Sequence, residues 1–190
     1  MKPVFMFRPR CIPARMIPPL FGICLAVAIL AAAPAAMAEP ACDPNQLSFA
    51  VDSESGQFDG MSHSGTLLVL RNLGPAACAV PARPELNFLD ANRQPLAVSP
   101  QRPPPGMHPG PVIPPVAVPV GAELTSEARW VSSDAFGANN CVAPAFVALS
   151  IGSHTFVAPL ETHLCGAAGQ KPSYTVTLLR RDPVYRPPAR

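Results

Sequence analysis

Apolar and polar residues alternate with a period of two along much of the chain beyond residue 40. The alternation is clearest over 47–52 and 124–130, while 66–70 is a continuous apolar run, typical of a strand buried on both faces. Shorter apolar runs bounded by turn residues cover 86–88, 96–98, 146–149, 155–157 and 174–178. About eight short strands separated by turns predict an all-β, antiparallel β-sandwich.

Proline sets the predicted boundaries of this domain. Between positions 100 and 119, nine of twenty residues are proline, so the segment lacks the amide donors that a central strand needs. We expect 100–119 to run over the surface as a polyproline-like loop, and we interpret it as an inter-strand connection rather than a ligand for another protein. Three further prolines follow residue 182, and 182–190 is predicted to be a disordered tail. The predicted sandwich domain therefore spans 39–181.

The first 38 residues have the three-part layout of a secretory signal. Four basic residues and no acid occupy the first fifteen positions, an apolar stretch follows over 17–33, and small residues at Ala36 and Ala38 suit signal peptidase. We expect cleavage after Ala38, which gives an exported protein of the periplasm or the extracellular space. The apolar stretch is short and interrupted by proline, so we expect no stable membrane insertion of the mature chain.

Removal of the predicted signal changes the charge of the protein. The whole chain has 14 Lys and Arg against 12 Asp and Glu. All four charges of 1–38 are basic, so ten basic residues stand against twelve acidic ones in the mature chain, a net charge of −2. No cluster of basic residues interrupts the domain sequence, and this composition argues against a nucleic-acid-binding protein.

Four cysteines lie beyond the predicted signal, and an even number in an exported chain indicates disulfides. The midpoint of Cys42 and Cys78 falls in the turn-rich stretch 52–65, and the midpoint of Cys141 and Cys165 falls in the turn at 152–153. Each pair would then close the open end of a β-hairpin, where cross-strand distances suit a disulfide. We therefore predict the disulfides Cys42–Cys78 and Cys141–Cys165, and no C-x-x-C spacing supports a metal site instead.

Several short motifs resemble one family of exported bacterial proteins. In chain order they are Cys42 to Leu47, Asn72-Leu73-Gly74, Cys78, Pro84, 88–90, Gly121-Ala122, Trp130 and Cys141. In this order and spacing they resemble the family known as domain of unknown function 4232, over 41–177. The resemblance implies an immunoglobulin-like sandwich in the cell envelope, and it implies no activity. We interpret the Asn-x-Gly turn as structural, because Asn72 and Gly74 tolerate a positive φ and the Asn72 amide can bind the local backbone.

The densest polar cluster is the segment 60–65, Gly-Met-Ser-His-Ser-Gly. Thioether and imidazole groups suit copper, and two such pairs occur in separate loops: Met61 with His63, and Met107 with His108. The same segment differs at one position from the Gly-x-Ser-x-Gly elbow of serine hydrolases, since Ser64 stands where the second glycine belongs. A copper-binding protein and a hydrolase that uses Ser62 or Ser64 are therefore the two alternative functions.

Neither alternative is the preferred interpretation, since methionine in a loop usually packs and histidine in a loop is usually solvated. No acid–base arrangement can be identified for the serines, and no acidic cluster has the spacing of a calcium loop. We therefore predict a protein that is not an enzyme and has no cofactor. Its predicted role is that of an exported envelope module, binding or structural, whose loops contact an unidentified protein or glycan.

Overall fold

The computed structural model describes residues 39–101, 112–133 and 139–182, all within one compact unit of the chain, Met37–Arg190. Its strands are β1 (Leu47–Asp52), β2 (His63–Asn72), β3 (Cys78–Val80), β4 (Glu85–Leu89), β5 (Ser99–Pro100), β6 (Val116–Val118), β7 (Glu123–Val131), β8 (Asn139–Val142), β9 (Phe146–Ile151), β10 (His154–Pro159), β11 (Leu164–Ala167), β12 (Ser173–Val176) and β13 (Arg180–Arg181). Two short 3₁₀ helices, Pro44–Gln46 and Glu54–Gly56, are the helices of this part of the chain. Neither has the length or apolarity needed to span a membrane. The signal predicted over 1–38 lies outside the described residues.

Six strands form the largest sheet, with the order β1-β2-β7-β12-β5 and with β13 also paired to β7. All its pairs are antiparallel except β5 with β12. The longest ladder joins β2 to β7, from His63 opposite Val131 to Arg71 opposite Glu123. The even-numbered residues of β2 from 66 and of β7 from 124 are buried, so the strands bury one common side, called the inner face below.

A second sheet, of order β10-β9-β4, shares the hydrophobic core with this inner face. Phe88 of β4 places its ring edge-on against the rings of Trp130 and Tyr174, at centroid distances of 6.1 and 5.1 Å. The Tyr174 hydroxyl also donates to the carbonyl oxygen of Leu86 at 3.1 Å, which ties β12 to β4. Burial of a side chain the size of Phe88 stabilises the fold by roughly 2–3 kcal/mol. Aromatic packing therefore joins the two sheets.

The protein is mostly β, with these two sheets, two two-stranded sheets (β11-β8 and β3-β6) and two disulfides. The all-β prediction is confirmed at that level, and the immunoglobulin-like arrangement stays a prediction. The alternation predicted for β1 and β7 is confirmed by their burial, whereas 66–70, predicted to be buried on both faces, buries its even-numbered residues and leaves Leu67 and Val69 half-buried. The described residues contain more strands than the eight predicted, because strands of two to four residues, such as β5 and β8, are too short for alternation to be visible.

Both ends of the predicted proline-rich loop 100–119 belong to strands, so the predicted boundaries of that loop are wrong. Pro100 lies in β5, and β6 pairs with β3 through Val116–Val118. β5 accommodates Pro100 because the residues on either side of it donate the amide protons that pair the strand with β12. Ser99 donates to the Pro172 carbonyl oxygen and Gln101 donates to the Tyr174 carbonyl oxygen. Residues 102–111 lie outside the described part of the chain.

Two further boundaries differ from the prediction. The segment 96–98 is not a strand, since it makes one backbone hydrogen bond to β4, from Leu96 to Phe88, before the chain turns towards β5. Asp182, assigned to the tail, donates its amide to the carbonyl oxygen of Glu123 and so extends the pairing of β13 with β7. The remaining tail residues, 183–190, are outside the described residues.

Both predicted disulfides are present, Cys42 with Cys78 and Cys141 with Cys165, at Cα separations of 4.8 and 4.1 Å. Cys141 and Cys165 lie directly opposite each other in the β8–β11 ladder. The pairing of β8 with β11 is shifted by one residue from the pairing of β9 with β10, which lies between them in sequence. The first does not extend the β1–β2 hairpin, because the chain at Cys42 runs parallel to β3 and donates its amide to Ala79. Disulfides are typical of proteins outside the reducing cytoplasm, and they indicate a non-cytoplasmic location.

Candidate functional site

A crevice of about 320 Å³ lies where β2 begins and β7 ends. One wall is formed by β1, β2 and β7, together with the β1–β2 loop (53–62). The facing wall is the end of β10 and the β10–β11 loop (160–163). Its volume is at the lower end of the range for small-molecule sites. Two loops far apart in sequence therefore meet across one end of the sheet.

The β2–β7 register decides which side chains face the crevice. Ser64 pairs with Trp130, and both side chains lie on the inner face, as does that of Thr66 two residues further along β2. Successive residues of a strand point to opposite faces, so His63 and Arg129 lie on the other side of the sheet. They line a separate depression of about 270 Å³ on that side. The serine and histidine of the 60–65 segment are thus separated by the sheet itself.

The β1–β2 loop is held against the outer side of the sheet by Phe58, which is buried above Gly65. Arg129 stacks its guanidinium over the Phe58 ring at 4.9 Å from the centroid. A Cβ atom at position 65 would lie 2.6 Å from the Ala128 carbonyl oxygen and 3.1 Å from Phe58 Cβ, so only glycine permits this approach. Gly65 therefore fixes the position of the loop that carries Asp59.

Asp59 is brought to the crevice by this loop and held there by Ser64. The Ser64 hydroxyl donates to Asp59 Oδ1 at 2.6 Å, a short bond of the kind that carboxylates form with hydroxyl donors. Glu161, from the facing loop, supplies a second exposed carboxylate to the lining. None of the described residues that line the crevice is basic. The crevice is therefore acidic.

Trp130 borders the crevice and carries a buried polar group that has no partner among the described residues. Its side chain is 3% exposed, and its Nε1–H is buried with no hydrogen-bond acceptor among the described residues. Leaving such a donor unpaired costs roughly 1–3 kcal/mol, so native proteins rarely do so. By contrast, the depression beside Tyr174, of about 300 Å³, has its buried hydroxyl paired with Leu86. Because Nε1 is buried, the unpaired donor lies beneath the surface of the crevice rather than on it.

The residues predicted for copper do not form a described site. Met61 is fully exposed, His63 is exposed at the start of β2, and Met107 and His108 lie outside the described residues. The described ranges contain no group of three or more His, Cys, Asp or Glu that could hold a metal ion. Copper binding by these residues stays a prediction.

The hydrolase alternative gains no support from the geometry. The Ser64 hydroxyl donates a hydrogen bond to Asp59, and the described residues show no hydrogen bond from either Ser62 or Ser64 to a histidine. A serine nucleophile needs a base that accepts its proton and is itself oriented by a third group. Sequence reasoning singled out the 60–65 segment but not Trp130 and Glu161 as its neighbours in the crevice, because that arrangement depends on the packing of distant segments.

At the opposite end of β2, Asn72 has the structural role predicted for it. Its fully buried side chain donates to the Ala76 and Val118 carbonyl oxygens, both at 2.9 Å, and accepts from the Gly74 amide at 2.8 Å. The predicted positive φ is wrong for both Asn72 and Gly74. A Cβ at position 74 would overlap the side-chain amide of Gln46, whose flexible end would have to move.

A comparison with protein families matches residues 42–180 to a family described as a domain of unknown function (DUF4232). The matched range contains both disulfides, the Asn72 turn and Trp130. Comparisons with curated proteins and with solved structures gave no match. The chain therefore belongs to the DUF4232 family, as the order of its motifs predicts.

Proposed function

We propose that this protein is an exported, non-catalytic binding module of the cell envelope, built on an immunoglobulin-like β-sandwich. Export is supported by the signal-like segment 1–38 and by two disulfides in the remainder of the chain. The sandwich is supported by two sheets that share one core through Phe88, Trp130 and Tyr174. The partner is a protein or a glycan.

The observation that carries the proposal is the crevice between the β1–β2 and β10–β11 loops. Loops mounted on a rigid sheet are where such frameworks place recognition, because the loop residues are free of the core's packing constraints. Here each loop contributes one exposed carboxylate to the crevice lining, Asp59 and Glu161.

A non-catalytic role is supported by the pairing of Ser64 with Asp59 in place of a histidine. Treatment of the folded protein with a serine-reactive phosphonate tests this role. We expect no adduct on Ser62 or Ser64 by mass spectrometry, and an adduct on either serine that is lost on its change to alanine would contradict it.

Binding is tested by exposing the purified, oxidised protein to a glycan array and to immobilised envelope proteins. Asp59→Asn alters the crevice, while Glu85→Gln makes the same chemical change at an exposed position beside the Tyr174 depression. We expect a partner whose binding is weakened by Asp59→Asn and unaffected by Glu85→Gln. Equal behaviour of both variants would remove the crevice as the binding site.

Export is tested by expressing the whole chain in a bacterium and analysing the cell fractions. We expect the exported form to begin at Glu39 and to contain no free thiol by mass spectrometry. An exported form that retains Met1, or that carries four free thiols, would contradict this part of the proposal.

A further inference from the structure

We propose that the Cys141–Cys165 disulfide is a redox switch, which a dithiol opens while the Cys42–Cys78 disulfide stays closed. Opening detaches β8 from β11 and loosens the β10–β11 loop, which belongs to the facing wall of the crevice. The selective opening is independent of any ligand, whereas its effect on binding rests on the proposed function.

The two disulfides differ in how a nucleophile can reach them. Cys42 and Cys78 are both buried, and both belong to the hydrophobic core. Cys165 is also buried, but its partner Cys141 is exposed at the surface. Thiol–disulfide exchange begins when a thiolate attacks one of the two sulfur atoms, so its rate depends on access to that atom. Cys141–Cys165 is therefore the disulfide open to attack, and Cys141 is the residue attacked.

A reductant with two thiols completes the exchange. One of its thiolates attacks Cys141 Sγ, so that a bond between this sulfur and the reductant forms while the bond to Cys165 breaks. The electron pair of the broken bond leaves with Cys165 Sγ, which takes up a proton. The second thiolate then attacks the reductant's own sulfur in the mixed disulfide, and Cys141 leaves as a thiolate that takes up the other proton. The dithiol becomes a disulfide, and its two electrons and two protons reduce the cysteine pair to thiols.

The ladder that this disulfide closes is short. β8 and β11 form a two-stranded sheet with four residue pairs, one of which is the disulfide. On β8, residues 140–142 are exposed or half-buried, and the hydrogen bond from the Asn140 side chain to the Gln170 carbonyl oxygen is exposed to solvent. On β11, by contrast, Leu164 is fully buried. Because two-stranded pairs of this size are marginally stable in water, reduction should detach β8 while β11 stays anchored in the core.

The β10–β11 loop is attached at both ends to β8 and the residues that directly follow it. At the start of the loop, the Leu160 amide donates to the carbonyl oxygen of Ala145, three residues beyond β8, at 2.9 Å. At its end, Leu164 pairs with Val142 of β8, next to the disulfide. Detaching β8 removes this second attachment, so the loop gains conformational freedom. A loop that must be ordered when a ligand binds lowers the affinity for that ligand.

Graded reduction of the exported, oxidised protein tests the selectivity. The folded protein is treated with dithiothreitol for increasing times, free thiols are blocked with N-ethylmaleimide, and the blocked cysteines are located by mass spectrometry. We expect Cys141 and Cys165 to be blocked at least about tenfold faster than Cys42 and Cys78. With the monothiol glutathione, we expect the mixed disulfide on Cys141. Equal rates for the two disulfides, or a glutathione adduct on Cys165 instead, would overturn the inference.

Hydrogen exchange measured by mass spectrometry tests the release of β8. After selective reduction and blocking, we expect the amides of 139–145 and 160–163 to exchange at least about tenfold faster, and those of 124–130 in β7 to keep their protection. Unchanged exchange in 139–145 and 160–163, or a loss of protection that includes β7, would show that the disulfide does not control a local element.

The double variant Cys141→Ser/Cys165→Ser should show the open exchange pattern without reductant. Cys42→Ser/Cys78→Ser is the matched control, and it should show that pattern after dithiothreitol treatment alone. Selective reduction of the native protein gives the same readout if either variant fails to fold. An open pattern in the control variant before reduction would contradict the assignment of the switch to Cys141–Cys165.

The effect on the crevice is tested with the same glycan array and immobilised envelope proteins. We expect the selectively reduced protein to bind at least about tenfold more weakly than the oxidised protein. Undiminished binding after reduction would overturn the effect on the crevice. If the oxidised protein binds nothing while exchange in the β10–β11 loop still rises on reduction, the proposed function fails and the switch stands.

Discussion

The two ends of strand β2 differ in whether their polar groups are buried and hydrogen-bonded or exposed. At one end Asn72 is fully buried and makes three side-chain hydrogen bonds, close to where the Cys42–Cys78 disulfide ties the chain to β3. At the other end, where Ser64 pairs with Trp130, the surface opens into a crevice with two exposed carboxylates, and the buried indole N–H beneath it has no acceptor among the described residues.

The difference separates stability from recognition along a single strand. Saturated hydrogen bonding at Asn72 fixes the path of three chain segments and leaves no group for a partner. At the Ser64 end the Trp130 N–H has no acceptor among the described residues and two carboxylates are exposed. The free-energy cost of the unpaired donor must be offset by the rest of the fold. Mutations at the two ends should therefore have different effects, large on unfolding at one end and large on binding at the other.

Removal of the disulfides should lower the free energy of unfolding more than any other change proposed, and it is the most demanding test of the difference between the two ends of β2. The Cys42–Cys78 and Cys141–Cys165 pairs close loops with sequence separations of 36 and 24 residues, so replacing each pair by serine should lower the free energy of unfolding by about 4 and about 3.5 kcal/mol respectively. Guanidinium denaturation followed by Trp130 fluorescence measures both.

The same variants should differ in binding. Cys165 is the second residue after the β10–β11 loop, so loss of its disulfide should also weaken binding to the crevice. Loss of Cys42–Cys78 should leave the affinity of the folded fraction unchanged. If both variants bind alike, the two ends are not independent.

Asn72→Ala should destabilise the protein by about 3 kcal/mol, because it leaves the Gly74 amide and the Ala76 and Val118 carbonyl groups without their side-chain partner. Asn87→Ala, at an exposed position of β4, should change the free energy of unfolding by less than about 0.5 kcal/mol. Urea denaturation of the two variants measures the difference, and equal midpoints would show that the Asn72 network does not stabilise this end.

Gly65→Ala should cost about 2 kcal/mol, since its Cβ meets the backbone of Ala128 and the side chain of Phe58 and must displace the β1–β2 loop. Gly60→Ala, in the same segment, has nothing nearer than 3.9 Å to its Cβ and should be close to neutral. Thermal unfolding gives the stabilities. We also expect Gly65→Ala alone to reduce binding to the crevice, and intact binding in that variant would show that Phe58 does not position Asp59.

Ser64→Ala should have the smallest effect on folding, below about 1 kcal/mol, because its hydrogen bond to Asp59 is exposed to solvent. Its effect on ligand affinity should be larger than its effect on stability, since Asp59 loses the group that orients it. Chemical denaturation and binding titration of one sample give both values. A variant that unfolds much more easily yet binds normally would reverse the assignment of the two ends.

The local alternation of apolar and polar residues predicted the strands near both ends of β2. It could not predict how those strands pack against distant segments. Alternation identified β7 and placed Trp130 on the same face as Leu124, because one buried face imposes a period of two. The cysteine pairs were predicted correctly, although Cys42 reaches Cys78 by a parallel approach to β3 that hairpin geometry does not describe.

The parts that could not be predicted depend on contacts between distant segments. The approach of Asp59 to Glu161 joins residues about one hundred positions apart, and no local periodicity records it. The Asn72 network likewise reaches Val118 across the chain. Pairing of β6 with β3 was missed because three residues between prolines are too few to reveal a strand.

The proline in β5 has a consequence for how the protein behaves at high concentration. Ser99 and Gln101 direct their amide protons inward to β12, so the residue between them is the one whose N–H would point away from the sheet, and that residue is Pro100. This outermost strand therefore offers a neighbouring molecule no donor at its centre, and strand addition between copies is blocked where it would otherwise start. Pro100 is therefore expected to disfavour strand addition at this edge of the sheet, whose other edge is β1.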